Sequence, residues 1–239
     1  MRLDGRAADA LRPLTFTRGF ISHPEGSVLV ALGGTKIICN ATVEEKVPPF
    51  LHGTGRGWVT AEYAMLPRAT STRSVRDIEK LKKNARAVEI QRLIGRALRM
   101  AVDLDKLGER TIIIDCDVIQ ADGGTRTASI SGGFAALAIA CEKLVADGKL
   151  TASPVVQQIA AVSAGVVDGE ALLDLCYEED SRAEVDMNIV MNAAGDLIEL
   201  QGTAEHKPFS QAALTELVRL GSIGNAAIVE AQKAVLQNA

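Results

Sequence analysis

The sequence predicts an α+β fold made of two similar halves, each with strands first and helices after, and three observations carry that reading. Apolar runs meet at turn residues near positions 33, 168 and 194, the pattern of β-hairpins. Apolar residues then recur at three and four positions, over about 84–103 and 126–146 in the first half and over 210–220 and 224–237 in the second. No linker or low-complexity tract divides the 239 residues, so halves of about 1–150 and 151–239 are expected to fuse into one domain spanning 1–239.

In order along the chain, "SVLVALGGTKIICNATVE" (27–44) is two strand-like runs around Gly33-Gly34. The stretch "GTGRGWVTAEYAMLPRAT" (53–70) reads as a glycine-rich loop. The helix from about Asn84 to Asp103 places Ile90, Leu93, Ile94, Ala97, Leu98 and Ala101 on one side and Arg92, Arg96 and Arg99 on another, so it is amphipathic with a basic face. "TIIIDCDVIQ" (111–120) is a strand, and 126–146 is a helix whose Ala and Gly content requires close packing. The second block starts near Pro154. Asp168-Gly169 and Ala194-Gly195 each turn a hairpin, and two helices follow, the first with Ser210 as its N-cap.

Composition excludes several classes. There is no run of 18 apolar residues, so no membrane span is expected, and "MRLDGRAADALRPL" has no apolar core that would make it a secretory signal. Cys39, Cys116, Cys141 and Cys176 are scattered through apolar stretches without a C-x-x-C pair, which points to reduced buried thiols and a cytoplasmic location. The net charge of −4 hides a segregation. Residues 67–99 carry ten basic and three acidic side chains, a local +7 that leaves −11 on the rest. Such a belt suits a polyanion, although a basic solvated helix face has the same composition.

Two places carry chemistry. In "ADGGTRT" (121–127) a strand passes through Gly123-Gly124 into a helix. Glycines can turn backbone N–H groups toward a guest, and the helix adds its unpaired N-terminal amides and the positive end of its dipole. Thr125 offers a hydroxyl and Arg126 a planar cation suited to phosphate oxygens. Neither G-x-x-x-x-G-K-[ST] nor G-x-G-x-x-G is present, so the implied anion is one phosphate; the plain alternative is a tight β–α turn with an exposed arginine. In "CYEEDSRAEVDMNIV" (176–190), Glu184, Asp186 and Asn188 alternate with apolar residues, and Asp180 stands at the end of the preceding strand. Two carboxylates brought together across that turn would need a cation, and oxygen donors without His or Cys favour Mg²⁺; a solvated acidic turn is the alternative. His23, His52 and His206 have no metal-binding spacing, and no G-x-S-x-G elbow exists, so covalent nucleophilic catalysis is disfavoured.

The stretches "LDGRAADALRPL", "GWVTAEYAMLPRATSTR", "EIQRLIGRALR", "DCDVIQADGGTRTASISG", "EEDSRAEVDMNIVM" and "LQGTAE" resemble, in order from residue 3 to about 205, the bacterial RNase PH family. That resemblance implies duplicated βαβα-type halves and a phosphorolytic 3′→5′ exoribonuclease that trims tRNA precursors and other RNA 3′ ends, releasing nucleoside diphosphates. It implies that inorganic phosphate is held by Arg86, Gly124, Thr125 and Arg126, that Asp180 and Asp186 are the catalytic carboxylates and hold Mg²⁺, and that Arg68, Arg73 and Arg76 serve tRNA binding or the contacts of a hexameric ring, a trimer of dimers. Arg92 and Arg96 are added as RNA contacts because they lie on the basic face. The chain departs from the family pattern at Ala85 and Ala87, where glycine and threonine are expected. Alanine favours helix, so the helix is expected to extend toward residue 80. Two rivals are a small-molecule kinase, which would need a triphosphate loop, and a non-catalytic RNA-binding ring subunit of an exosome-like complex, which would have no need of both the GGTR bend and the carboxylate pair.

Overall fold

A computed structural model describes residues 2, 4–76 and 84–237. The first sheet holds β1 (Leu14–Arg18), β2 (Gly26–Leu32), β3 (Thr35–Glu44), β4 (Trp58–Met65) and β5 (Thr111–Gln120), in the order β1-β2-β3-β5-β4. Its neighbours are antiparallel except β4 and β5. Parallel neighbours cannot be joined by a tight turn. The connection here includes helix α1 (Ala85–Arg99), which packs on β4, and the single turn α2 (Leu104–Leu107). The second sheet is antiparallel throughout, in the order β7-β6-β8-β9, from β6 (Ile159–Val167), β7 (Glu170–Leu173), β8 (Val185–Asn192) and β9 (Leu197–Ala204).

Helix α3 (Thr125–Ala146) lies between the two sheets, against β2, β3 and β5 on one side and β6 on the other. Its small residues permit that approach: a Cβ on Gly132 would stand 2.7 Å from Cys39 Sγ and 2.8 Å from Val30. Phe134, Leu137 and Ile130 are fully buried along it, each contributing roughly 1.5–3 kcal/mol by burial. The same apolar cluster continues into Ile159, Ala161 and Val190 of the second sheet. Ser131 of α3 bonds both the N–H and the carbonyl of Ala161, at 3.0 and 3.1 Å. Helix α5 (Gln211–Gln237), which Ser210 caps as expected by accepting from Ala213 N, covers β6 and β7.

The hairpins at Gly33-Gly34, Asp168-Gly169 and Gly195 form as read, as does α3. Several expectations are corrected. Residues 58–65 are strand β4, not loop, because their alternating Val59, Ala61 and Tyr63 are buried beside β5. The two C-terminal helices are one, since Gly221 and Gly224 are packing sites rather than breaks; a Cβ on them would meet Ile189 at 2.4 Å and Leu173 at 2.9 Å. A strict strands-then-helices order does not hold: β5 falls between α1 and α3, at the strand the sequence predicts over 111–120 and as βαβα-type halves require, and the short α4 (Tyr177–Asp180) divides β7 from β8. Helix α1 begins at Ala85, because Asn84 is extended and its side chain accepts from Arg86 N; it ends at Arg99, and Asp103 caps α2 instead. Residues 77–83, with Lys80, Lys82 and Lys83, lie outside the described residues. Cys39, Cys116 and Cys141 are buried free thiols, whereas Cys176 is half-buried. By length and hydropathy α3 and α5 could each cross a membrane; 83% of the apolar window of α3 is buried inside the fold, which accounts for its apolarity, against 39% for α5.

Candidate active site

The bend between β5 and α3 is built on positive backbone angles. Gly123 has φ +74° and Gly124, which caps α3, has φ +65°. Gly123 has a second reason to be glycine: a Cβ there would lie 2.3 Å from the carbonyl of Leu175, so the bend is pressed against the second half of the chain. Side chains hold it from behind. Thr35 Oγ1 donates to Gly123 O at 2.6 Å and accepts from Asp122 N at 2.9 Å. Arg12, 4% exposed, donates to the carbonyl of Asp122, and its other side meets Asp174 through Nε at 3.0 Å and Nη2 at 2.7 Å. Asp174 is fully buried and takes a left-handed φ of +53° to do this.

The phosphate candidates converge here. Tyr63 OH donates to Thr125 Oγ1 at 2.9 Å, which leaves the threonine proton available to the cleft. Arg126 Nη1 donates to Gln201 Oε1 at 2.8 Å and lies 3.3 Å from Glu89 Oε1, while Gln201 Nε2 donates to the same Glu89 oxygen at 3.1 Å. That triangle joins α3, β9 and α1 and fixes the direction of the guanidinium. Arg86, in the first turn of α1, lines the same cleft despite the alanines around it.

Asp180 and Asp186 face these cations. Asp180 ends α4 rather than a strand, and Asp186 lies on β8 opposite Gly165 of β6. Helix α4 is a single turn held from outside by Arg2, whose Nε and Nη2 reach the two oxygens of buried Glu179 at 2.8 and 2.7 Å. Neither carboxylate makes a hydrogen bond or ion pair among the described residues. Burial, and then the charge of Asp180, push the Asp186 carboxyl up to about 6. Burial also raises Asp180, against the pull of Arg86 and Arg126. Among the described residues no group of three or more His, Cys, Asp and Glu could hold a metal by itself. The pair fits Mg²⁺ in another way: two hard carboxylates that repel each other, across from two arginines and a glycine bend, match a cation that takes few protein ligands.

The cleft formed by these groups holds about 360 Å³ and also brings in Thr70, Ser163, Tyr177, Asn188 and Glu205. Glu184 stands apart, paired with Lys207 at 3.1 Å. The arginines assigned to RNA lie outside the cleft lining. Arg68, Arg73 and Arg76 are exposed on the segment after β4, and Arg92 and Arg96 are exposed on α1, with Arg96 Nε donating to Glu199 at 2.9 Å. Arg99 is not part of that exposed basic face: it lies 4.3 Å over the Trp58 ring and donates to Val59 O. Sequence reasoning missed Arg12, Asp174, Thr35, Tyr63 and Gln201, because each acts through a partner remote in the chain. Arg12, Thr35, Tyr63 and Gln201 all lay in stretches already singled out, "LDGRAADALRPL", "SVLVALGGTKIICNATVE", "GWVTAEYAMLPRATSTR" and "LQGTAE", but nothing local marked them; Asp174 lay outside those stretches.

Residues 10–141 match the 3′ exoribonuclease family, domain 1, and residues 157–224 its domain 2. The chain is 60% identical over 237 residues to ribonuclease PH of Bacillus velezensis, covering 99% of this chain and 97% of that one, and 59% identical over the same spans to ribonuclease PH of Bacillus subtilis. In fold it is similar to an Archaeoglobus fulgidus exosome with RNA bound to the active site, with a TM-score of 0.80 at 22% identity, over 96% of this chain and 91% of that one. It is also similar to rice (Oryza sativa) Rrp46, with a TM-score of 0.79 at 19% identity, over 99% and 100%.

Proposed function

The chain belongs to the 3′ exoribonuclease family, and from that premise we propose how its cleft works and on which RNA. The protein is a phosphate-dependent 3′→5′ exoribonuclease, a nucleotidyltransferase whose reverse reaction adds nucleotides. Its substrates are the 3′ ends of tRNA precursors and other RNAs. One observation carries the reading: a glycine bend opening a helix, two arginines and two aspartates with unpaired carboxylates line one cleft of about 360 Å³, room for a phosphate and more.

Arg86 and Arg126, with the Gly124 and Thr125 backbone and the Thr125 hydroxyl, hold inorganic phosphate. An oxygen of that phosphate forms a bond to the phosphorus of the last phosphodiester, and the bond from that phosphorus to the 3′ oxygen of the preceding nucleotide breaks. The products are a nucleoside diphosphate and an RNA with a new 3′ hydroxyl, which takes up a proton. Such a reaction needs positioning and charge neutralisation more than covalent chemistry. Asp180 and Asp186 would hold Mg²⁺, which when bound neutralises charge that develops on the transferred phosphoryl group. Two of the fold neighbours come from archaeal exosomes, and the assembly proposed for this chain is a ring, a hexamer made as a trimer of dimers, with Arg68, Arg73 and Arg76 at RNA or subunit contacts and Arg92 and Arg96 along the RNA.

The test is to incubate the protein and Mg²⁺ with a labelled tRNA bearing extra 3′ nucleotides, with and without inorganic phosphate. Nucleoside diphosphates released only with phosphate are expected, and Arg126→Ala should raise the phosphate requirement or abolish release while the fold stays intact. Monophosphates released without phosphate would mean hydrolysis and overturn the reading.

A further inference from the structure

Resting on phosphorolysis as proposed above, we propose that the hydroxyl of Ser163 is a further ligand of the phosphate co-substrate, donating a hydrogen bond from the second sheet to an anion otherwise held by α1 and α3. Ser163 lies on β6, is 4% exposed, and its Oγ has no hydrogen-bond partner among the described residues. A buried hydroxyl left unpaired carries an uncompensated desolvation cost, so its retention calls for a partner that arrives later. Among the described residues it is the one orphaned buried side-chain atom whose residue lines the active cleft. The other hydroxyls at the bend are paired: Thr35 with Gly123 and Asp122, Tyr63 with Thr125, and Thr127 with Gly124 O at 3.0 Å.

Position supports the same role. Ser163 pairs with Asn188 of β8, two residues from the pairing of Gly165 with Asp186, so its side chain leaves the sheet on the Asp186 face. A Cβ placed on Gly124 would stand 3.6 Å from Ser163 Oγ, which puts the hydroxyl across from the glycine that opens α3. A tetrahedral anion there meets arginines and the threonine from the first half and, on this assignment, one neutral donor from the second. A neutral donor is suited to that wall. A further cation would pair with Asp186 and compete with Mg²⁺, whereas a hydroxyl adds a bond without altering the charge.

Ser163→Ala and Ser163→Cys test it by two readouts: the phosphate KM at saturating RNA, and the rise in Tm that inorganic phosphate alone causes in the RNA-free protein. The expected result for Ser163→Ala is a phosphate KM about tenfold higher, the loss of one hydrogen bond to a charged acceptor, with RNA KM unchanged. The phosphate needed for a given Tm rise should increase by the same factor, and Tm without phosphate should not fall, since the variant removes an unsatisfied group. Ser163→Cys, close in size but a weak donor, should behave like the alanine variant. If both variants keep the wild-type phosphate KM and Tm response, water satisfies the hydroxyl and this inference alone is overturned. If phosphate neither stabilises the wild type nor supports release of diphosphates, the phosphorolytic reading falls and takes this inference with it.

Discussion

Around Gly123 and Gly124 the polar groups are tied down by Thr35, Arg12, Tyr63 and Gln201, whereas the carboxylates of Asp180 and Asp186, in the same cleft, have no bonded partner among the described residues. On the proposed function, the difference teaches how the two ligands are anticipated. An anion site works best when its donors already point inward, so that nothing reorganises on binding. A cation site can keep two carboxylates unpaired and partly desolvated, because the repulsion stored between them is released when a cation enters. The Asp186 carboxyl is raised first by its burial and then by that repulsion.

Breaking the tied side should cost most. In Arg12→Ala the fully buried Asp174 loses its principal partner, with Arg6 left 3.5 Å away, and stability should drop by about 3–5 kcal/mol. Urea unfolding checks this, and a loss under about 1 kcal/mol would show that the bend is not held from behind.

Removing the stored repulsion should have the opposite effect on stability. Asp186→Asn should lower turnover by about 10²–10³ while RNA affinity stays near wild type. It should also raise metal-free stability near pH 7 by on the order of 2 kcal/mol. The sign follows from the raised pKa. Between the unfolded value near 3.8 and about 6 the native state binds more protons than the unfolded chain, so wild-type stability falls as pH rises through that window. The gain of the variant should therefore vanish when unfolding is measured below about pH 4. A variant less stable than wild type at pH 7 would mean that Asp186 is well paired in the native protein.

Loosening one tie is a smaller perturbation. Gln201→Ala removes the 2.8 Å acceptor of Arg126 and should raise the phosphate KM about fivefold with a lesser change in kcat. An equal fall in kcat with no KM change would place Gln201 in the chemical step instead. The least effect is expected outside the cleft: Arg92→Ala should weaken RNA binding a few-fold and lower the salt slope by about 1, leaving the phosphate KM alone. A changed phosphate KM there would mean that the basic face and the cleft are one site.

Much of the cleft was legible locally. Gly123-Gly124 before a helix, and Asp186 in an apolar strand, announce themselves because backbone freedom and a charge among apolar neighbours are properties of a few adjacent residues. Strand β4 was not legible: glycines at 53, 55 and 57 outweigh an alternation that becomes decisive only when β5 lies parallel beside it. Gly221 and Gly224 misled for the converse reason, since a glycine that ends a helix and one that admits Ile189 or Leu173 look alike until the sheet is in place.

By itself, then, the sequence determined the hairpins, the helix that starts at the bend, the phosphate-type donors and the two carboxylates, all of which follow from periodicity, backbone freedom and side-chain type. Only the tertiary structure decided what surrounds them. Arg12 meets Asp174 across 162 residues, Arg126 meets Gln201 across 75, and Asp186 is pushed toward neutrality. Compensation of charge depends on which groups share a low-dielectric space, and that space forms only when the two sheets close on α3.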